Sequence, residues 1–177
     1  MSAAITLDDI IVFLLETSMF SVLSAEELSD VVQIMQVQRL GAGEYVFHQG
    51  EQGDAWYVVY EGEVDVIVAK EGEERVIASI GPRTCFGEMA ILDGFSRSAG
   101  VRTQMGVTVF RFPREAFNGL RDQENLAAYK LIHQISLVLV ARQRDATKRL
   151  AAMNTKALAT EVADVVESIV RATKTSG

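Results

Sequence analysis

Cysteine is almost missing from this sequence: Cys85 stands alone among 177 residues. An internal disulfide is therefore excluded, and a reducing, cytoplasmic setting is expected. The lone thiol has no evident histidine partner, and a small buried apolar role suits it better than reactivity. Histidine is nearly as scarce. His48 and His133 are far apart and fall on different predicted elements, so the clustered His and carboxylate ligands of a metal-dependent barrel enzyme are lacking. Neither a G-x-S-x-G elbow nor a P-loop occurs. No catalytic constellation is found, so an enzyme is not expected. No run reaches about 18 uncharged apolar residues, so no transmembrane helix is expected. The start, MSAAITLDD, lacks the basic region of a secretory leader. Positive charge is short in the first part of the chain: residues 1–112 hold 7 Lys/Arg against 17 Asp/Glu, whereas residues 113–177 hold 10 against 7. An acidic surface repels nucleic acid, and it also repels small anions, so any phosphate must be caught by a local cation.

Apolar residues, at 49%, suffice for a real core. Thr6 or Asp8 caps a first predicted helix running through Glu16. Ser24 and Glu27 form a capping box, serine at the cap and acid three residues on, that opens a second helix to about Met35. Leu28, Val31, Val32 and Met35 recur at helical spacing. From Val37 the period changes to two. Val37–Leu40, Glu44–His48, Ala55–Glu61, Glu63–Ala69 and Arg75–Ile80 read as short strands parted by glycine turns. Val64, Val66 and Val68 are expected on one face. Ser98–Thr103 and Val107–Phe112 continue the pattern. The predicted fold is α+β: an antiparallel β-barrel or jelly roll of about eight strands over residues 37–112, N-terminal helices over 1–36 and C-terminal helices over 113–177. Pro113 suits a helix start, with a short helix Arg114–Leu120. Asn125–Met153 follows without Gly or Pro, apolar on two stripes: Leu131, Ile135, Val138 and Arg142 on one, Ile132, Leu139 and Ala146 on the other. One stripe would pack on the barrel and the other on a second subunit. A last amphipathic helix, about Thr155–Thr173, carries Leu158, Val162, Val165, Val166, Ile169 and Val170 against Lys156, Glu161, Asp164, Glu167 and Arg171. Its polar face is too acidic for membrane binding.

The chemistry concentrates in Phe86–Val101, FGEMAILDGFSRSAGV. Gly87 lets backbone approach a ligand closely. Glu88–Leu92 is expected to form one helical turn, whose leading N–H groups attract an anion. Arg97 adds a planar fork suited to phosphate oxygens, and Glu88 can accept from sugar hydroxyls. Ser98 and Ala99 are small enough to leave room, and Ser98 can donate a bond. Taken alone, a Gly-Glu pair and a later Arg would be only a turn with a surface ion pair.

Here the pattern is longer. Phe86, Gly87 and Glu88, then Met89, Ala90, Ile91 and Leu92, then Arg97, Ser98 and Ala99 resemble the phosphate-binding cassette of the cyclic nucleotide-binding domain family without a gap. Leu40, Gly43-Glu44, Gly50, Gly53-Asp54, Trp56-Tyr57-Val58 and Gly62-Glu63-Val64 resemble that family's strand-and-turn framework, so the likeness covers about residues 17–150. The resemblance implies that Glu88 takes the ribose 2′-hydroxyl and Arg97 the cyclic phosphate, supported by backbone at Gly87, Met89 and Ala90. It implies a lid around Arg142–Thr147 that meets the base, Thr147 offering its hydroxyl to adenine. Ser98 sits where the family varies between cAMP and cGMP binders, and cAMP is favoured. The family's transcription factors carry a helix-turn-helix after the long helix. Only one predicted helix follows Met153, so direct DNA binding is not expected. The reading is a cytoplasmic homodimeric sensor of a cyclic mononucleotide, needing no cofactor or metal and acting through a protein effector. A ligand-free scaffold or docking module on the same barrel is the alternative.

Overall fold

The computed structural model describes residues 5–174; for residues 154, 156–159 and 161–174 only the backbone is described. The chain falls into a first compact unit ending at Ile135 and a second beginning at Ser136. In the first unit, α1 (Leu7–Leu15) and α2 (Ala25–Ile34) open the chain. Both start on complete capping boxes: Thr6 with Asp9, and Ser24 with Glu27. Each box satisfies donors that a helix start otherwise leaves unpaired.

Eight antiparallel strands follow: β1 (Gln36–Leu40), β2 (Tyr45–Phe47), β3 (Ala55–Glu61), β4 (Val64–Lys70), β5 (Glu73–Ile80), β6 (Cys85–Phe86), β7 (Gly100–Thr103) and β8 (Val107–Pro113). They form two four-stranded sheets, ordered β1-β8-β3-β6 and β2-β7-β4-β5. A short helix, α3 (Met89–Asp93), interrupts the run between β6 and β7. After β8 come α4 (Arg114–Asp122) and α5 (Leu126–Lys174).

The core explains the strands. Phe47, Ala55, Tyr57, Val59, Val64, Phe86, Val101, Val107 and Val109 make one buried cluster between the sheets. The alternate residues of β3 and β8 are buried too, on the other face. Trp56 stacks on Phe112 at 4.2 Å between ring centroids and lies near Phe20 and Phe117. Both strands are covered on two faces, which is why their sequences run apolar with little alternation. The cluster fixes β3 firmly, and β3 carries the site's backbone.

Of three expectations, one changes. Val64 and Val66 both pack on the core cluster as expected, and the bulge in the β4–β5 pairing is in β5, where Ile77 is skipped between Val76 and Ala78. Ile67, on the alternate side of β4, is buried as well. Pro113 closes β8 and stands at the N-cap of α4, which begins at Arg114 as expected. The two predicted C-terminal helices are one: α5 runs 49 residues without a break. Nothing in that stretch stops a helix, since it holds no Gly or Pro and Asn154 is only a weak breaker. The apolar and charged side chains expected on Lys156–Arg171 lie outside the described residues. Among the described residues, no helix is long and apolar enough to cross a membrane.

Candidate functional site

The cassette residues meet at the end of the short β3–β6 ladder, within the first unit. Tyr57 pairs with Phe86 and Val58 with Cys85, and the ladder stops there. The two aromatic rings stack at 5.1 Å. Immediately after Phe86 the backbone turns out through Gly87, at φ 75°. A left-handed conformation is costly for other L-residues, and there is no room for a side chain besides. A Cβ on Gly87 would meet Arg97 Nη1 at 2.8 Å and the Phe47 ring at 3.3 Å. Gly87 is thus the residue that lets Arg97 reach the backbone.

Arg97 sits where the next rung of the ladder would be. Its Nη1 donates to the Gly87 carbonyl at 2.8 Å, and its Nη2 donates to the Ala55 carbonyl at 2.7 Å. Nη2 also faces Asp54 Oδ1 at 3.2 Å. The guanidinium carbon lies 3.9 Å from the centre of the Phe47 ring. Its main chain is clamped as well: the Arg97 amide donates to the Glu51 carbonyl at 2.8 Å, and the Gly50 amide to the Arg97 carbonyl at 2.9 Å. Arg97 is 3% exposed, and its Nε has no hydrogen-bond partner. A buried unsatisfied donor is uncommon in folded proteins. Burial pushes the Arg97 pKa below the ordinary arginine value, while Tyr57 and Asp54 oppose that shift. The group stays charged at neutral pH, because the ordinary value is so high.

Glu88 is the second buried charge, 2% exposed. It precedes α3 in helical conformation, and its side chain does not cap that helix. Ala90, the second residue of α3, is buried against the loop that carries Asp54. A Cβ on Gly53 would strike the Ala90 Cβ at 2.3 Å. The small pair Gly53 and Ala90 lets α3 lie directly on that loop and sets Asp54 beside Arg97. Met89 and Ser98 are exposed and Ala99 half-buried, so Phe86, Gly87, Glu88, Ala90 and Arg97 form the packed part of the cassette. Arg142 and Thr147 stand on α5 in the second unit, where the Thr147 hydroxyl donates to the Gln143 carbonyl at 3.0 Å. His48 is exposed and bonds Glu51, and no cluster of metal-binding residues occurs among the described residues.

Sequence reasoning gave no site role to Phe47, Asp54 and Tyr57, which lie around Arg97, or to Arg111, which is bonded to Asp54. One signal was readable: the inward positions of β8 run Val107, Val109, Arg111, and a charge closing an apolar series needs a partner.

Comparison with known proteins agrees with the geometry. Residues 37–124 match the family model of the cyclic nucleotide-binding domain. Through this stretch the chain belongs to that family. A cGMP-dependent protein kinase, egl-4, of Caenorhabditis briggsae is 36% identical over 114 residues, 63% of this chain and 15% of the kinase. The cAMP-dependent protein kinase regulatory subunit of Emericella nidulans is 33% identical over 108 residues, 61% of this chain and 26% of the subunit. The chain therefore matches about a quarter or less of these relatives' length. Among solved structures, the catabolite activator protein of Thermus thermophilus superposes with TM-score 0.66 at 28% identity, over 77% of this chain and 62% of that one. The regulatory domain of Toxoplasma gondii protein kinase A, solved with cAMP, gives TM-score 0.56 at 30% identity over 60% of this chain and 41% of that chain.

Proposed function

We propose that this chain is a non-catalytic cyclic mononucleotide sensor that prefers cAMP to cGMP. The observation that carries the reading is Arg97: a buried guanidinium with an unpartnered Nε, in an otherwise acidic domain. A phosphate oxygen satisfies that donor, and desolvation strengthens the pairing. Glu88 takes the ribose 2′-hydroxyl. Backbone at Phe86–Ala90 lines the sugar-phosphate, and the small Ser98 and Ala99 leave space for it. The relatives named for cAMP and for cGMP both fit this chemistry, so the base preference rests on the serine at position 98.

Function is divided along the chain: helices in residues 1–36, the ligand barrel in 37–112, and helices in 113–177 that close on the base and contact partners. Arg142 and Thr147 are the lid residues in this scheme. The output passes to a protein effector in the cytoplasm through movement of the C-terminal helices, and the sensor is a homodimer. The dimer is supported by a stripe on α5. Leu126, Tyr129, Leu137 and Val140 recur at helical spacing and are each about half exposed. Soluble monomers rarely leave such a strip uncovered.

Calorimetric titration with cAMP, cGMP and cyclic dinucleotides tests the assignment. Micromolar or tighter binding of a cyclic mononucleotide, tighter for cAMP, is expected. No heat with any of them would leave the barrel as a ligand-free scaffold.

A further inference from the structure

Arg111 is the second cation of this region. It lies opposite Tyr57 across the β3–β8 ladder, on the face where Val107 and Val109 are buried. A guanidinium there must be paired to be tolerated. Its Nη2 donates to Asp54 Oδ2 at 2.7 Å and its Nη1 to Gln36 Oε1 at 2.8 Å. Burial works against this cation, but bonds to Asp54 and Tyr57 outweigh it and raise its pKa above the ordinary value.

Asp54 is thereby divided between two arginines. Oδ2 makes the short bond to Arg111, whereas Oδ1 stands 3.2 Å from Arg97. One carboxylate shared by two guanidiniums leaves a net positive charge on the cluster. The stronger bond goes to the arginine that has no role in the cassette. Asp54 is 62% exposed and so has room to turn. It lines, with Arg111, Gln36 and Arg114, a cavity of about 690 Å³, so truncating Arg111 does not open a void in the apolar core.

We propose that Arg111 is a positioning residue for phosphate capture: by holding Asp54, it keeps the charge of Arg97 available to an anionic ligand. This rests on the reading that Arg97 binds the cyclic phosphate. Without Arg111, Asp54 turns wholly to Arg97 and closes a carboxylate–guanidinium pair. An incoming phosphate then competes with a carboxylate already in place. The competition matters because Arg97 is buried, where charges are poorly screened.

The test is calorimetric titration of the full chain with cAMP and cGMP. The proteins compared are wild type, Arg111→Ala, Arg111→Lys, Asp54→Asn and the double variant Asp54→Asn/Arg111→Ala. Arg111→Ala should weaken binding about fivefold, as coupled neighbours do, and Arg111→Lys should restore most of it. In the Asp54→Asn background, Arg111→Ala should change affinity by less than about twofold, because the competing carboxylate is gone. A structural role would give the same loss in both backgrounds, and that result overturns the inference. So does unchanged affinity of Arg111→Ala in a chain whose wild type binds. A wild type that binds neither nucleotide refutes the reading of Arg97 itself, and the inference falls with it by a distinguishable route.

Discussion

Replacing Arg97 by alanine should damage the protein before any ligand is added. The guanidinium joins the Gly87 and Ala55 carbonyls where the β3–β6 ladder ends. A hydrogen bond from a charged donor contributes about 1.5–3 kcal/mol, and the contact over Phe47 adds about 1–2 kcal/mol in a desolvated site. Against this stands the cost of keeping a guanidinium out of water, several kcal/mol, which the alanine releases. The balance is a destabilisation of about 2 kcal/mol. With a urea slope of about 2 kcal/mol per molar, the unfolding midpoint falls by about 1 M. Trp56, the single tryptophan, is fully buried in the first unit and reports that transition by fluorescence. Binding suffers separately. Truncating one partner of a desolvated charge pair costs about 2–4 kcal/mol, or roughly 30- to 800-fold in Kd. Arg97→Lys should fall between, since one ammonium keeps the charge but cannot span both carbonyls. An unchanged urea midpoint in Arg97→Ala would refute the staple, and an unchanged Kd would refute the phosphate role.

Ser98→Ala should weaken cGMP more than cAMP, because a hydroxyl at this position can reach the guanine amino group; equal losses in paired titrations would confine Ser98 to the phosphate. Hydrogen bonds from Lys130 and from the Ser24 amide hold the Glu27 pKa below its ordinary 4.5. The stability Glu27 contributes is therefore complete above that value and is lost as pH falls through the lower folded one. Urea midpoints of Glu27→Gln should vary less with pH in that window, and an identical profile would count against the pairing. The proposed dimer should split when Leu137 and Val140 both become Asp, since both are about half exposed on α5. Ile135 is unsuitable for that experiment, being fully buried in the first unit. Light scattering reads the result, and a wild-type mass near 19.4 kDa refutes the dimer.

The parts legible in the sequence were those written in local chemistry. The capping box at Ser24, a helix cap near Thr6, the strand Ala55–Glu61 and the turn out of Phe86 through Gly87 all follow from neighbours a few residues apart. The bulge at Ile77 in β5 was hidden, because it shows only in the register against β4. β6 was hidden because a two-residue strand has no period to detect. The single helix α5 was split between Met153 and Thr155, although Asn154 is only mildly unfavourable in a helix. The site divided in the same way. Glu88 and Arg97 stand in one short motif, whereas Asp54, 43 residues before Arg97, and Arg111 arrive by sheet pairing. Contacts made by topology leave no spacing for a sequence reader to find.

If Arg97 captures a phosphate as proposed, those long-range contacts give it a physical route toward the helices. A phosphate that draws the Arg97 guanidinium acts on the carbonyls of Gly87 and Ala55, and so on the entry to α3 and the start of β3 together. α3 lies on Gly53 through Ala90, so it cannot shift without moving the Gly53–Asp54 loop. That loop is bonded to the first residue of α4: the Arg114 amide donates to the Asp54 carbonyl at 2.7 Å, and the Arg114 guanidinium to the Gly53 carbonyl at 3.3 Å. Every link is a hydrogen bond or a van der Waals contact within the first unit. The polar seam from Arg97 through Asp54 to Arg114 reaches α4 in three residues.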